Sequence, residues 1–195
     1  MAEQRDLSPT QHPPGVPVPA HLAGWLGPLD WVEDAPSITG DLICPCGGRA
    51  FELLHPGKTH RPGRLPEPIP CTVKIPGRPD EFNHWLAIDV VCVGCWARAV
   101  VFDSMRHGYA MFLAADRWQR QVRPTLVPWA CSGCGGRPHR GRVRFHFPER
   151  DDFLAEFAGR CGAERWADGF DYFEMRAECA SCGHRVEPWA GFESD

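Results

Sequence analysis

Cysteine pairs recur along this sequence at a repeating interval, and this repeat constrains the fold more than any other feature. The pairs lie in CPCGGR (44–49), CVGCWAR (92–98), CSGCGGR (131–137) and CASCGHR (179–185). The third and fourth pairs lie 87 or 88 residues after the first and second. Since unrelated cysteines would not repeat in register, we interpret the chain as an internal duplication.

The residue type and spacing of these pairs indicate structural metal sites. A CxxC turn lets two thiolates converge on one ion, and a closed structural zinc site takes four ligands in a tetrahedron. The sequence therefore predicts two structural Zn²⁺ ions, each held by one early and one late pair. The predicted ligands are Cys44, Cys46, Cys92 and Cys95 for the first ion, and Cys131, Cys134, Cys179 and Cys182 for the second.

The first pair is one residue shorter than the other three, because only Pro45 separates Cys44 from Cys46. This CPC occupies the position of a full CxxC in the second set and is followed by the same Gly-Gly-Arg, so we expect Cys44 to be a ligand. The alternative is a site with three thiolates and a water, which would suit a zinc hydrolase. No catalytic residue is assigned, since no GxSxG, P-loop or dinucleotide-binding glycine pattern occurs.

Hydrophobic periodicity predicts a mainly β fold with a small helical content. Apolar residues alternate in LAIDVVC (86–92) and FEMRAEC (173–179), as in half-buried strands that lead into a cysteine turn. The apolar positions Phe153, Phe157 and Cys161 predict an amphipathic helix over 151–161. We therefore expect two tandem zinc ribbons from an internal duplication, with a helix inserted in the second.

The first set of motifs also resembles a known group. The CxCG turn, the later CxxC and the sequence FDSMRHGY (102–109) resemble the zinc-ribbon fold group, and more narrowly small bacterial proteins that combine these elements. The resemblance covers 41–110 well, and 131–195 only through its cysteines. It implies a zinc-binding β fold and implies nothing about a substrate.

Composition divides the chain into five segments. Five prolines without hydrophobic periodicity predict that the first twenty residues form a flexible arm. The expected segments are the arm (1–20), a docking segment packed on the body (21–40), the first ribbon (41–110), a connector (111–130) and the second ribbon (131–195). Cys71 and Cys161 lie outside the paired motifs, and we expect a free thiol at Cys71 and a buried core thiol at Cys161.

Targeting signals and net charge restrict the cellular compartment and the classes of partner that we expect. The N-terminus has no secretory signal and no apolar run approaches the roughly 20 residues needed to cross a membrane. We expect a cytoplasmic protein without membrane contact, in a compartment where paired cysteines hold metal rather than form disulfides. The formal net charge of −4 argues against a general polyanion binder.

One basic strand is the candidate for a binding surface. Its polar face carries Arg142, Arg144 and His146, alternating with Val143, Phe145 and Phe147, and it follows Arg137, His139 and Arg140. Such arginines can clamp phosphate or the carboxylates of a partner. The alternative is a solvated strand whose arginines pair with nearby acids such as Glu149, Asp151 and Asp152.

His107, in RHGY, is a further candidate, either as a ligand or catalytic group or as a residue that closes a turn before Gly108. We expect the turn. Taken together, the sequence predicts a non-catalytic, zinc-stabilised binding or adaptor protein that recognises another protein. The alternative function is nucleic-acid binding through the basic strand, residues 137–146.

Overall fold

The structure is a computed structural model that describes residues 17–32, 36–56, 71–75, 78–82, 86–108, 112, 123–159 and 162–194. Within these ranges, eleven β-strands form one antiparallel sheet. They are β1 (Leu26–Val32), β2 (Ser37–Leu42), β3 (Phe51–His55), β4 (Cys71–Ile75), β5 (Arg78–Phe82), β6 (Ala87–Cys92), β7 (Arg98–Asp103), β8 (Val127–Pro128), β9 (Pro138–His146), β10 (Tyr172–Cys179) and β11 (Arg185–Ser194).

Helical structure is a minor component of the described chain. One α-helix, α1, spans Arg150–Glu156, and 3-10 helices span Ala20–Leu22 and Ala163–Asp168. The predicted mainly β class with a small helical content is therefore confirmed, and α1 lies where the sequence predicted a helix, between the two cysteine pairs of the second set.

The two cysteine-bearing halves contribute to the same sheet. Its main path runs β5-β4-β11-β10-β9-β3-β6-β7. Strands β3 and β9 each follow the first cysteine pair of a half, and they meet near the centre, where Phe51 pairs with His139 and Glu52 with Pro138. The division into two ribbon units stays a prediction, because the sheet is continuous across both halves.

Two segments outside the cysteine motifs extend the sheet. The β4–β5 hairpin, which lies between the cysteine pairs of the first half, pairs with β11 of the second half through Val73 and Phe192. The expected docking segment (21–40) contains β1 and most of β2, which pair with each other, and β2 pairs with β9. Its Leu22 and Leu26 are fully buried, because their side chains pack into the common core.

The sheet curls, and its concave side encloses an aromatic core. The ring of Phe102 on β7 stacks on Phe173 of β10, with 4.6 Å between centroids, and lies 4.9 Å from Phe192 of β11. The end strand β7 is thus brought into contact with β10 and β11, which lie four and five places away along the path. Burial of one such ring contributes about 1.5–3 kcal/mol, so this contact is a main source of cohesion between the halves.

Two local expectations need correction. Strand β10 alternates as predicted, but on β6 the residues Ala87 and Asp89 of the expected outer face are also buried. Helix α1 ends at Glu156, since residues 157–159 form a turn in which Gly159 has a φ of +77°. The predicted apolar stripe survives through Phe153 and Phe157, which are buried, whereas Cys161 lies outside the described residues.

Candidate metal centres

The structure brings the eight predicted cysteines together in two groups of four. In each group, the four sulfur atoms all lie within 4.8 Å of one another. Sγ atoms of different pairs lie close together: Cys44 to Cys95 at 3.4 Å, Cys46 to Cys92 at 3.6 Å, Cys131 to Cys182 at 3.7 Å and Cys134 to Cys179 at 3.6 Å.

These separations match a tetrahedral metal ion and do not match disulfides. A Zn–S bond of about 2.3 Å places tetrahedral sulfurs about 3.8 Å apart, whereas a disulfide joins its sulfurs at about 2.05 Å. All eight cysteines are free thiols. Each group is therefore a site that can hold one metal ion with four sulfur ligands.

One backbone turn supports every cysteine pair. The N–H of the first cysteine donates to the carbonyl of the second residue after the pair, and the N–H of the residue just after the pair donates back to the first cysteine. The first type of bond is Cys44 to Gly48, Cys92 to Ala97, Cys131 to Gly136 and Cys179 to His184, at 2.8–2.9 Å. The second type is Gly47 to Cys44, Trp96 to Cys92, Gly135 to Cys131 and Gly183 to Cys179, at 2.7–2.9 Å.

The shortened CPC motif keeps this turn although it has one residue fewer. Gly48 is the residue that allows it, because a Cβ there would lie 2.8 Å from the sulfur of Cys92 and 3.3 Å from that of Cys46. Cys44 is buried and its sulfur points at Cys95. In the shortened motif the backbone at Gly48 therefore lies close to the sulfur atoms, and the Cys44 sulfur still lies within its group of four.

Local hydrogen bonds favour the thiolate form that binds metal. The Gly48 backbone, together with the neighbouring thiols, lowers the pKa of Cys46 to about 7. The backbone of Cys182 lowers the pKa of Cys179 to about 6, and burial only partly opposes this shift. Burial raises the pKa of the Cys44 thiol, and the pKa values of Cys95 and Cys182 are also raised, so these residues depend on a bound metal ion to be deprotonated.

A buried charge cluster beside the first site has no counterpart in the sequence-based predictions. Asp89 on β6 and Asp103 on β7 are fully buried. Arg123 holds both: its terminal nitrogens donate to Asp89 at 2.5 and 2.9 Å, and its Nε donates to Asp103 at 2.8 Å. Arg98 adds a bond from Nε to Asp89 at 2.7 Å. An aspartate in an otherwise apolar strand was the available signal, and its partner lies in the expected connector.

His107 closes a turn, as expected. Its Nδ1 accepts a hydrogen bond from the backbone N–H of Asp103 at 3.1 Å. Its ring stacks on His21, with 3.7 Å between centroids. Burial, the neighbouring His21 and the guanidinium groups of Arg123 and Arg106 lower the pKa of His107 to about 2. The ring is therefore neutral and joins the N-terminal 3-10 helix to the end of β7.

The basic strand has the predicted alternation, but its acidic partners differ from the expected ones. Arg142 pairs with Asp30 at 2.5 Å and with Asp41 at 3.2 Å, and Arg140 pairs with Glu178 at 3.2 Å. Asp41 and Glu178 lie on strands paired with β9, and Asp30 lies on β1, one strand further away; none of the partners is Glu149, Asp151 or Asp152. Cross-strand neighbours are closer than residues beyond the end of the same strand.

Both histidines of this strand also differ from a uniform basic face. His146 bonds to Asp171 at 3.0 Å. His139 lies on the core side, fully buried against Trp129 at 4.3 Å between centroids. Among the described residues, Arg144 and the preceding Arg137 have no carboxylate within 4.0 Å, although Arg144 lies across from Glu174 of β10 and interacts with its charge.

Comparison of the chain with protein-family models, with curated proteins and with solved structures found no match. In the ranges that the structure describes, no helix is long and apolar enough to cross a membrane.

Proposed function

We propose that this chain is a non-catalytic binding or adaptor protein whose fold is stabilised by two structural Zn²⁺ ions and which recognises another protein. The observation that carries the proposal is the four-sulfur geometry of both sites. A catalytic zinc keeps one position open for water or substrate, whereas four thiolates fill the tetrahedron. The position of Cys44 within its group argues against a three-thiolate hydrolase site.

We assign Zn²⁺ because a tetrahedral set of four thiolates suits zinc or an iron–sulfur cluster among the common metals. The bound ions hold together turns that are far apart in the sequence. A reducing cytoplasm is the compartment in which such thiolate sites persist, and we propose it for this protein.

The proposal includes two zinc ribbons derived by internal duplication. Two observations support the duplication: all four cysteine pairs share one backbone turn, and strands β3 and β9 contact each other at matching positions. Phe51 and His139 each follow the last cysteine of a first pair by five residues, and they are partners in that contact.

Nucleic-acid binding is the second candidate, and charge disfavours it. Two Zn²⁺ ions with four thiolates each would add −2 per site, which takes the formal charge from −4 to about −8. The inner arginines of the basic strand are also ion-paired. This candidate stays open because neither Arg144 nor Arg137 has a carboxylate within 4.0 Å among the described residues.

Metal analysis tests the first part of the proposal. We expect two zinc ions per chain and loss of cooperative folding when a strong chelator removes them. A structural zinc contributes about 10–16 kcal/mol, compared with about 5–15 kcal/mol for the total stability of a domain. Folded protein without metal, or with iron in place of zinc, would contradict it.

Salt-dependent binding separates the two candidate functions. A fluorescent single-stranded or duplex oligonucleotide is titrated with wild-type protein and with the Arg142→Ala/Arg144→Ala variant at several salt concentrations. We expect no tight binding at physiological salt. Tight binding that weakens steeply with salt and is lost in the variant would favour nucleic-acid binding, because phosphate contacts release counterions.

A further inference from the structure

Trp96 occupies an unusual place at the first metal site. It directly follows Cys95, and its side chain is 71% exposed. Its φ of +63° makes it the one non-glycine residue with a positive φ in the described chain. A bulky residue in this left-handed region is a real outlier, because its Cβ crowds the backbone.

The other three cysteine pairs show what this position normally requires. Gly47, Gly135 and Gly183 follow their pairs directly and have φ values of +85°, +73° and +73°. Each makes the same hydrogen bond to the first cysteine that Trp96 makes. A Cβ at Gly135 or Gly183 would meet no atom within 4 Å, so a side chain at this position is disfavoured by the backbone conformation alone.

The indole of Trp96 does not compensate for this strain within the fold. Among the described residues, it has no aromatic or cation–π contact, and most of its surface faces solvent. Strain that the fold itself does not require indicates a function when it coincides with an exposed reactive or recognition group.

The turn around Trp96 forms an apolar tip. Val93, in the same turn, is 38% exposed, and Gly94 separates it from Cys95. The equivalent turn of the second half carries Ala180, Ser181 and Gly183 and has no such tip. Two turns with the same backbone thus differ in the surface that they present.

We propose that Trp96 and Val93 form a knob that packs against large apolar side chains of a protein partner. Tryptophan is enriched among the residues that carry most of the binding energy of protein interfaces. The zinc–thiolate group beside it would carry a charge of −2, which disfavours a phosphate-bearing ligand. This inference rests on the proposed function and assigns the partner-binding surface to the first metal site.

A peptide selection with a matched counter-selection tests the knob. A phage-displayed library of random dodecapeptides is selected on the zinc-loaded wild-type protein and depleted on Trp96→Gly. We expect peptides centred on large apolar residues, whose affinity measured by fluorescence anisotropy weakens at least tenfold with Trp96→Gly. Trp96→Asn, which also tolerates a positive φ, serves as a second variant and gives the same loss.

Stability and metal content distinguish recognition from a structural role. Because glycine relieves the strain, Trp96→Gly keeps two zinc ions and its Tm stays equal or rises by up to about 2–4 °C. A lower Tm or loss of one zinc ion would overturn the inference. Peptides that bind equally to both proteins would also overturn it, while leaving the adaptor function intact.

Three further results would overturn the knob proposal. They are the absence of any Trp96-dependent peptide, Trp96-dependent binding of single-stranded oligothymidylate, and concentration-dependent self-association that disappears in Trp96→Gly. Oligothymidylate binding would indicate base stacking on the indole, and self-association would identify a second copy of the chain as the occupant.

Discussion

Phe51 and His139 face each other across the β3–β9 pairing, and both are fully buried. Each lies five residues after the last cysteine of its half's first pair. Equivalent positions of the two halves therefore meet at the line where the halves join. One position carries a phenylalanine and the other an imidazole, neither of whose nitrogens has a partner in hydrogen-bond geometry.

Replacement of His139 by phenylalanine, the residue at the equivalent position, is expected to stabilise the protein. Burial lowers the pKa of His139, and the Arg137 backbone opposes this shift only in part. An unsatisfied buried polar group costs about 1–3 kcal/mol, so we expect His139→Phe to raise the free energy of unfolding by about 1–2 kcal/mol. Denaturant unfolding measures it, and a decrease would indicate that the ring makes a polar contact.

Cys44→Ser tests the shortened cysteine pair. Because the sulfur of Cys44 lies 3.4 Å from that of Cys95, we expect the variant to retain one zinc ion instead of two. Elemental analysis of the purified protein measures the ratio. Cys71→Ser is the matched control and is expected to retain both ions, since each group has four sulfur ligands without Cys71. Two ions in Cys44→Ser would mean that three thiolates suffice.

Arg123→Met is expected to destabilise the fold strongly. Arg123 is 20% exposed and neutralises two buried carboxylates, Asp89 and Asp103. Loss of one partner of a buried pair costs about 3–5 kcal/mol. In an Asp89→Asn/Asp103→Asn background the same substitution should cost much less, and equal costs in both backgrounds would contradict the coupling.

The matched control for this prediction is Arg142→Met. Arg142 also contacts two carboxylates, Asp30 and Asp41, but the three side chains are 45%, 68% and 34% exposed. Exposed ion pairs contribute at most about 1 kcal/mol. Denaturant unfolding should therefore separate the two arginine variants by about 2 kcal/mol or more.

The stacked histidines should make stability depend on pH. The unfolded chain protonates His107 near pH 6.5, whereas the folded protein keeps its ring neutral down to about pH 2. Below about pH 6.5 the unfolded state therefore binds more protons than the folded state. As the pH decreases, the free energy of unfolding decreases by up to about 1.4 kcal/mol per pH unit.

His107→Asn removes the titrating imidazole, while the Oδ1 of the new side chain can still accept the hydrogen bond from the backbone N–H of Asp103. We expect the slope of unfolding free energy against pH, between about pH 5 and 6.5, to be smaller in the variant. Metal release affects both proteins, so the difference between the slopes is the quantity to measure. Parallel curves would show that His107 is protonated in the folded state.

The sequence anticipated features that depend on local patterns. Period-two alternation predicted the two faces of β10 and of the basic strand, and the spacing of Phe153 and Phe157 predicted a helix at the right place. Periodicity failed on β6, because a curled sheet buries both faces of some strands. It also failed at the end of α1, where a turn follows Glu156.

Sequence patterns could not predict the contacts between distant strands. Arg142 finds its acids on β1 and β2, roughly a hundred residues earlier in the chain. Arg123 joins β6 and β7 from a segment that was expected to be a connector. Such pairs depend on the order of strands in the sheet, and hydrophobic alternation carries no information about that order.

The sequence by itself determined the two sets of sulfur ligands, since metal coordination restricts residue type and the spacing within each turn is local. Only the tertiary structure decided which strands of the two halves pair with each other, and that His139 is buried. It also left Trp96 exposed at a position where the other turns have glycine. These outcomes follow from the strand order and curvature of the whole sheet, which bring together residues that are far apart in the sequence.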